Sequence, residues 1–240
     1  MKYDIFKDKN AFITGASGGL GATIAFQLAE SGCNLYLTGR SEKKLKALCD
    51  HIHESYPATQ VRYFIADLSK EEELKRVIFK VQNVTFVDML INCAGVFPIK
   101  NIKDSGISDF NKCFNVNVKA PFLMSREFFH DMKNANWGRI VNVGSSSAYN
   151  GSEDTGLYCA SKHALLGLSR SMYKEFKEHN VRVYNVSPGS IQTEMGATDT
   201  RQDFDTFLDP EDVAKYILFV MSFETGIISE EIRMNRMIIR

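Results

Sequence analysis

The chain has 240 residues, of which 44% are hydrophobic and 24% are charged, a composition that excludes a disordered segment and a collagen-like rod. Lysine plus arginine and aspartate plus glutamate both number 29, so the formal net charge is zero. Because positive charge is not in excess, we expect neither nucleic acid nor a membrane as a partner.

Short apolar or β-branched runs alternate with helical patterns through the first half of the chain. The predicted strands are NAFITG (10–15), NLYLTG (34–39), VRYFIA (61–66) and FVDMLIN (86–92). Helical patterns follow the first three of these strands, over residues 20–31, 42–55 and 70–81. Regular alternation of strand and helix predicts a parallel sheet.

The second half continues the same alternation. It predicts a helix over 108–133, a strand over 138–144, a helix over 155–179, a strand over 181–187, a helix beginning at Asp209, and a closing strand over 231–239. The whole pattern predicts an α/β doubly wound Rossmann fold of about seven parallel strands with helices on both faces. In such a fold, ligands bind beyond the carboxyl ends of the strands.

No Pro-, Gly- or Ser-rich linker divides the chain, so residues 1–240 are predicted to form a single domain. The stretch 194–209 has no clear periodicity and a length typical of a functional loop, so we expect a lid over the substrate. The five cysteines are odd in number and form no CxxC pair, which indicates reduced thiols and no metal site. The first ten residues lack the apolar stretch of a signal peptide, and we expect a cytoplasmic protein.

A glycine-rich turn, TGASGGLG at 14–21, lies between the first predicted strand and the first predicted helix. Glycine allows the backbone to approach a pyrophosphate closely, and the following helix N-terminus offers free N–H groups. The motif therefore predicts a dinucleotide site. Its spacing leaves two assignments open: Gly15, Gly19 and Gly21 fit GxxxGxG, whereas Gly15, Gly18 and Gly21 fit GxxGxxG.

The second predicted strand ends in LTGR, which places Arg40 and Ser41 where a dinucleotide-binding protein recognises the adenosine ribose. Enzymes that use NAD carry an acidic residue there, whereas an arginine pairs with the 2′-phosphate of NADP. Arg40 therefore favours NADP, and the nearby Glu42 keeps NAD possible.

The pattern YxxxK, which places a tyrosine and a lysine on one face of a helix, occurs at Tyr3, Tyr158 and Tyr173. An ammonium beside a phenol lowers the phenol pKa, and such a tyrosine exchanges protons with an alcohol or a ketone. Only Tyr158 is flanked by small residues and follows a strand ending in GSSS. Ser145, of that segment, is predicted to donate a hydrogen bond to the substrate oxygen, with Ser146 and Ser147 as alternatives.

Six motifs occur in one order along the chain: TGASGGLG (14–21), NCAG (92–95), NVNV (115–118), GSSS (144–147), YCASK (158–162) and SPG (187–189). On these motifs the chain resembles the short-chain dehydrogenase/reductase family, and in particular its 3-oxoacyl reductases. The resemblance implies hydride transfer between NAD(P) and a small-molecule carbonyl or secondary alcohol substrate. It also implies a catalytic tetrad, with Tyr158 as acid/base: Asn117, Ser145, Tyr158 and Lys162.

The resemblance further implies the residues that contact the cofactor. They are Gly15, Ser17, Gly19, Leu20, Gly21, Arg40, Asp67, Leu68, Asn92, Ala94, Gly95, Tyr158, Lys162, Pro188, Gly189, Ile191 and Thr193. A homodimer or homotetramer is expected, and Leu165, Leu168, Met172 and Phe176 either form such an interface or face the chain's own sheet. A cofactor-binding sensor or scaffold without turnover is the alternative function.

Two further expectations concern the surroundings of this site. Pro121 lies four residues after Asn117 in a predicted helix, so the helix is expected to kink and leave the Asn117 carbonyl free. In the predicted lid, five acidic residues against Arg201 disfavour polyanionic substrates. An apolar substrate wall is expected instead from Phe97, Met195, Phe204 and Phe207.

Overall fold

The computed structural model describes residues 3–237, and within them the chain builds a seven-stranded sheet. Its strands are β1 (Asn10–Thr14), β2 (Asn34–Gly39), β3 (Val61–Ile65), β4 (Met89–Asn92), β5 (Gly138–Val143), β6 (Val181–Pro188) and β7 (Glu231–Met234). Their order is β3-β2-β1-β4-β5-β6-β7, and every neighbouring pair is parallel. The predicted Rossmann fold is confirmed.

Seven α-helices connect the strands in the described part of the chain. They are α1 (Gly19–Glu30), α2 (Glu42–Ser55), α3 (Glu71–Gln82), α4 (Ile107–Phe114), α5 (Ala120–Asn134), α6 (Gly156–Phe176) and α7 (Pro210–Met221). The ends of several are fixed by local chemistry. The Ser41 hydroxyl accepts the Lys44 N–H at the start of α2, and the Asp209 carboxylate accepts the Glu211 N–H at the start of α7. The predicted last strand, 231–239, ends earlier at Met234, and positions 238 and 239 lie outside the described residues.

Helices cover both faces of the sheet. One apolar core lies among α1, α2, α7 and the sheet, and the other lies among α3, α5, α6 and the opposite face. In β1, Ile13 belongs to the first core and Phe12 to the second, and both are fully buried. Burial on both faces explains why the strands are almost continuously apolar.

The long helix predicted over 108–133 is interrupted. Between α4 and α5, residues Asn115–Lys119 form a π-helical turn, in which the Ala120 N–H donates to the carbonyl of Asn115, five residues earlier. Pro121 follows at once and has no N–H to give to the carbonyl of Asn117, so the regular α-helical ladder cannot continue there. The interruption expected from Pro121 therefore takes the form of a wider turn centred on Asn117.

The order of the strands creates a crevice at the carboxyl ends of β1 and β4. The chain runs outward from β1 to β2 and β3, and then returns so that β4 pairs with the other edge of β1, with Ala11 opposite Met89. Connections therefore leave β1 and β4 in opposite directions, which opens a space between them. Among residues 3–237, no helix has both the length and the apolar character that crossing a membrane requires.

One open alternative from the sequence is settled by packing. Leu165, Met172 and Phe176 on α6 are buried, and Leu168 packs against the same core as Met172 and Phe176. This apolar stripe of α6 therefore packs mainly within the chain's own core, with Leu168 half-buried at its edge.

Candidate active site

A cleft of about 840 Å³ lies at the carboxyl ends of the strands. Its walls come from the glycine turn after β1, the ends of β2, β4, β5 and β6, the start of α6, and the chain after β7. All of the predicted cofactor-binding residues except Asn92 line it. The volume lies in the range of cofactor and ligand sites in proteins, roughly 300–1,000 Å³.

The glycine turn is as close-packed as a phosphate cradle requires. Gly15 has a left-handed φ of +67°, and a Cβ there would lie 2.7 Å from the Ala94 Cα. A Cβ on Gly21 would lie 2.5 Å from the Gly15 carbonyl oxygen, and one on Gly19 would lie 2.8 Å from the Thr193 Cγ2. A Cβ on Gly18 would lie 3.3 Å from the Gly15 carbonyl oxygen, a milder approach. The crowding therefore favours the GxxxGxG assignment.

The first turn of α1 opens directly from this cradle. Its sequence, GLGA, contains no acidic residue, so the N–H groups at the helix N-terminus present positive potential without a competing carboxylate. A bound pyrophosphate would meet these N–H groups. The cradle and the helix end together fit a dinucleotide cofactor.

Cationic and hydroxyl side chains line the cleft beyond the end of β2. Arg40, Ser41 and Lys44 lie on this wall, whereas the neighbouring Glu42 does not line it. Sequence reasoning missed Lys44 as a residue of the cleft. Its position in the first turn of α2, three residues after the capping Ser41, could have indicated this role. In the structure the Lys44 ammonium pairs with the carboxylate of Glu194, 2.6 Å away, at the start of the predicted lid.

Asp67 and Leu68 line the cleft after β3, as the resemblance implies. The Asp67 carboxylate accepts hydrogen bonds from the hydroxyl and the N–H of Ser69, at 2.7 and 3.0 Å. Burial raises the pKa of Asp67, but these hydrogen bonds and the nearby Arg40 outweigh it and leave the pKa below its ordinary value. The loop is therefore fixed by its own side chain.

The NCAG segment after β4 is held by two side chains that lie beneath the cleft. The Thr14 hydroxyl accepts the N–H groups of Cys93 and Ala94, at 3.1 and 3.0 Å, a role that sequence reasoning missed. The Asn92 side chain is buried and donates to the Asn142 Oδ1, 2.8 Å away. Asn92 does not line the cleft, so its placement is that of a residue supporting the strand ends rather than of a direct cofactor ligand.

Ser145, Tyr158 and Lys162 meet in the cleft, where the end of β5 faces the start of α6. The hydroxyls of Ser145 and Tyr158 are hydrogen-bonded, and the Ser145 Oγ also accepts the Ser147 N–H at 3.1 Å. The Phe97 ring packs edge-on against the Tyr158 ring, with centroids 4.7 Å apart. Ser146 and Ser147 also line the cleft, but the hydrogen bond to Tyr158 is made by Ser145.

Burial dominates the electrostatics of the Tyr158–Lys162 pair. It raises the pKa of Tyr158 to about 12, although the Ser145 hydrogen bond acts in the opposite direction. It also lowers the pKa of Lys162 to about 8. The expectation that Lys162 lowers the Tyr158 pKa is wrong for this structure, because the ammonium lies 5.6 Å from the ring centroid and donates instead to the Val143 carbonyl, at 2.7 Å.

Asn117 is buried beside this group rather than exposed in the cleft. Its Oδ1 accepts the Val96 N–H at 2.9 Å, and its Nδ2 donates to the Val96 carbonyl and to the Ser161 hydroxyl, both at 3.0 Å. Asn117 thereby ties the chain after NCAG to the helix that carries Tyr158 and Lys162. The other two YxxxK tyrosines, Tyr3 and Tyr173, do not line the cleft.

The expected apolar wall is only half present. Phe97 and Met195 line the cleft, but Phe204 and Phe207 do not, and Phe207 is buried. Phe207 packs against the Phe204 ring and the Arg236 guanidinium instead. The predicted lid and the chain after β7 present a polar layer to the cleft. This layer contributes to the lining Asp199, Arg201, Gln202, Asn235 and Arg236.

Comparisons with known proteins agree with this geometry. The model of a family described as short chain dehydrogenase matches residues 9–203. The chain is 31% identical over 216 residues to an uncharacterized oxidoreductase of Staphylococcus saprophyticus, covering 90% of this chain and 92% of that protein. It is 32% identical over 228 residues to the 3-oxoacyl-(acyl-carrier-protein) reductase of Rickettsia typhi, covering 90% of each. A metagenomic short-chain oxidoreductase in complex with NADP superposes with a TM-score of 0.84, at 27% identity, over 97% of this chain and 99% of that one.

Proposed function

The chain belongs to the short chain dehydrogenase family and is an NAD(P)-dependent oxidoreductase, and from this premise we propose that it uses NADP(H) to reduce a ketone to a secondary alcohol. The proposal concerns the preference for NADP and the direction of the reaction. The first is supported by the wall of the cleft beyond β2, and the second by the protonation state of Tyr158.

The observation that carries the cofactor preference is the charge at the end of β2. Arg40 and Lys44 line the cleft there with the Ser41 hydroxyl, while Glu42 lies off the lining. A guanidinium and an ammonium beside a helix N-terminus suit a 2′-phosphate, whereas recognition of a free ribose 2′-hydroxyl requires a carboxylate in their place. The cofactors of relatives agree, since the metagenomic oxidoreductase is described in complex with NADP.

Equilibrium binding tests this preference. Titration of the enzyme with NADPH and with NADH, followed by nicotinamide fluorescence, is expected to give at least roughly tenfold tighter binding of NADPH, the scale of one charge-assisted contact. Arg40→Gln should remove most of that difference by weakening NADPH alone. Lys43→Gln is the matched control, since Lys43 lies on the same turn of α2 but does not line the cleft. Tighter binding of NADH than of NADPH would refute the proposal.

The protonated Tyr158 suits the role of general acid in the direction of reduction. With a pKa of about 12, the Tyr158 phenol keeps its proton throughout the physiological pH range and is ready to give it away. When bound, the reduced nicotinamide supplies the hydride that adds to the carbonyl carbon. Tyr158 gives its proton to the carbonyl oxygen, so that the ketone gains one hydride and one proton and becomes the alcohol.

Ser145 and Lys162 assist the same step in different ways. The Ser145 hydroxyl, bonded to Tyr158, is placed to donate to the substrate oxygen as negative charge develops on it. The Lys162 ammonium, anchored to the Val143 carbonyl at 2.7 Å, lies on the lining of the same cleft, where it would hold the cofactor beside Tyr158. Asn117 acts through its neighbours, as the positioning residue that fixes Val96 and Ser161.

We also propose that residues 194–209 act as a lid, that residues 1–240 form one domain, and that the enzyme is a cytoplasmic homo-oligomer. The lid proposal is supported by the position of Glu194, Met195 and Asp199 on the lining of the cleft. The single domain is supported by one sheet that extends from Asn10 to Met234. Limited proteolysis with and without NADPH tests the lid, and sedimentation tests the oligomer.

A further inference from the structure

The chain after β7 contributes a half-buried guanidinium to the cleft. The Arg236 Nη2 donates to the Gln202 Oε1 at 2.6 Å, and its Nη1 donates to the Thr206 hydroxyl at 3.0 Å. The guanidinium carbon lies 5.1 Å from the centroid of the Phe207 ring. Arg236 is thus held by an aromatic ring and two neutral acceptors, and no carboxylate of residues 3–237 lies within 4.0 Å of it.

Contacts from Arg236 lead to the catalytic end of the cleft rather than to the adenosine end. Gln202 accepts a hydrogen bond from the Ser190 hydroxyl, one residue after Gly189, at 3.3 Å. Gln202 also donates to Asp199, whose partner Arg201 lies 3.9 Å from Asp154, just before the helix that carries Tyr158. This layer therefore spans from the end of β6 to the start of α6, across the place where a substrate meets Tyr158.

The anionic groups of this layer are already neutralised. The Asp199 Oδ1 accepts the Arg201 Nε, and its Oδ2 accepts the Arg201 Nη2 and the Gln202 Nε2. Asp203 and Asp209 accept backbone N–H groups at the starts of the short helix at residues 204–206 and of α7, and neither lines the cleft. The acidic composition of the lid therefore does not set the potential inside the cleft.

A positive charge remains at the substrate end. Arg236 and the exposed Lys112 both line the cleft without an ion-pair partner in the described part of the chain. The hydroxyl and amide side chains of Ser147, Asn150 and Ser152 also line the cleft, together with the apolar Phe97 and Met195. An unpaired cation in a concave, polar site attracts an anionic group of the ligand. Because Arg236 is half-buried and held in place, it loses less freedom on binding than Lys112 would.

We propose that Arg236 binds a carboxylate of the substrate, so that the ketone this enzyme reduces is an oxo acid. The inference rests on the proposed function, because it takes the carbonyl reduction at Tyr158 as given. The planar fork of a guanidinium matches a carboxylate, and the Nε of Arg236 and the second hydrogens of its Nη atoms are available for it. The carboxylate is bound and not altered: the oxo acid, NADPH and a proton give the hydroxy acid and NADP⁺.

Matched acids and esters test the proposal. We would measure kcat/KM with NADPH for 3-oxobutanoate, 4-oxopentanoate and 5-oxohexanoate and for the methyl ester of each. The three acids differ in the spacing between carbonyl and carboxylate, so the series also finds the spacing that fits the site. For the best member, the acid is expected to exceed its ester roughly 10- to 100-fold, the range of a hydrogen-bonded charge pair. Arg236→Gln should bring this ratio close to one by lowering the acid alone, and Arg236→Lys should restore part of it.

Arg233→Gln is the matched control. Arg233 lies on β7 with its guanidinium carbon 4.1 Å from the centroid of the Tyr149 ring, and it does not line the cleft, so its loss should leave the ratio unchanged. Equal turnover of acids and esters by the wild type, or an Arg236→Gln variant that loses both alike while binding NADPH normally, would overturn the inference and leave the proposed function standing.

Absence of all turnover would instead count against the proposed reduction, and binding would then decide the inference. The NADPH complex would be titrated with the three acids and followed by nicotinamide fluorescence. Saturable binding that Arg236→Gln weakens roughly 10-fold or more, and Arg233→Gln does not, supports a carboxylate site. No saturable binding of any acid overturns it.

Discussion

The Lys162 ammonium lies 5.6 Å from the centroid of the Tyr158 ring and is anchored to the Val143 carbonyl, at 2.7 Å. Lys162 is buried, whereas Tyr158 is half-buried and lines the cleft. Burial keeps each in its neutral form more strongly than in water, with the Tyr158 pKa at about 12 and the Lys162 pKa at about 8. Tyr158 therefore keeps its proton at neutral pH, as its proposed role of general acid requires.

Tyr158→Phe should abolish most turnover while NADPH still binds. Removing a general acid costs about 10²- to 10⁴-fold in rate, whereas the ring that packs against Phe97 is kept. Steady-state assays and nicotinamide fluorescence give the two readouts. Tyr173→Phe is the control, because Tyr173 belongs to another YxxxK pair, with Lys177 5.5 Å from its ring, outside the cleft. Full activity in Tyr158→Phe would remove Tyr158 from the chemistry.

Lys162→Met should stabilise the cofactor-free enzyme at pH 7 and lose this advantage in alkali. Below pH 8 the lysine is charged in the folded and unfolded states, so the cost of burying the charge is fully present. Between its folded pKa of about 8 and its unfolded value of 10.5 the folded state releases the proton first, and the cost disappears. The depression corresponds to about 3 kcal/mol at most, less the lost bond to Val143.

Urea denaturation at pH 7 and pH 10 measures this difference between wild type and variant. The comparison cancels the contribution of Tyr158, which is present in both proteins. A difference in unfolding free energy that stays the same at both pH values would contradict the depressed pKa of Lys162.

Glu194→Gln should tighten NADPH binding by about two- to fivefold, the scale of an exposed ion pair. The Glu194 carboxylate forms an ion pair with the Lys44 ammonium, and both side chains are largely exposed. Removing the carboxylate frees Lys44 for the 2′-phosphate, so NADH binding should not change. The gain should shrink in high salt. Asp203→Asn, a neutralisation elsewhere in the lid, is the control, and an equal gain there would point to overall charge instead.

Two glycine-to-alanine substitutions should have opposite effects on stability. Gly21→Ala places a methyl group 2.5 Å from the Gly15 carbonyl oxygen, and the backbone must move, which costs about 1–3 kcal/mol. Gly167 lies in the middle of α6 with open space around it, so Gly167→Ala should stabilise the protein by up to about 1 kcal/mol. Urea denaturation measures both. Destabilisation by Gly167→Ala would show that its methyl group meets an unforeseen contact.

The sequence was sufficient for the fold because each element carries its own signals. The run NLYLTG begins and ends where β2 does, and the residues between Asn34 and Gly39 are all buried. The predicted strand over 86–92 is shorter in the structure, beginning at Met89. Its earlier residues include Asp88, whose carboxylate accepts the Asn10 N–H at 2.9 Å, a contact between segments 78 residues apart that no local pattern encodes.

The site was predictable only where it follows a motif. Spacing placed Tyr158 and Lys162 on one face of a helix, but it carries no information about burial or about which part of the ring the ammonium approaches. Arg236 and Gln202 meet across 34 residues because β7 pairs with β6, and this depends on the assembled sheet. The physical limit is the same in each case: these properties arise from tertiary contacts.

The pairing of β1 with β4 has a consequence for biosynthesis. Ala11 meets Met89 in the finished sheet, so one edge of the central strand waits until 78 further residues have been made. At the usual pace of translation, about 5–20 residues per second, the nascent chain carries that open edge for roughly 4–16 s. An unpaired apolar strand is a site for aggregation, so we expect yields of this protein in recombinant expression to improve at low temperature or with added chaperones.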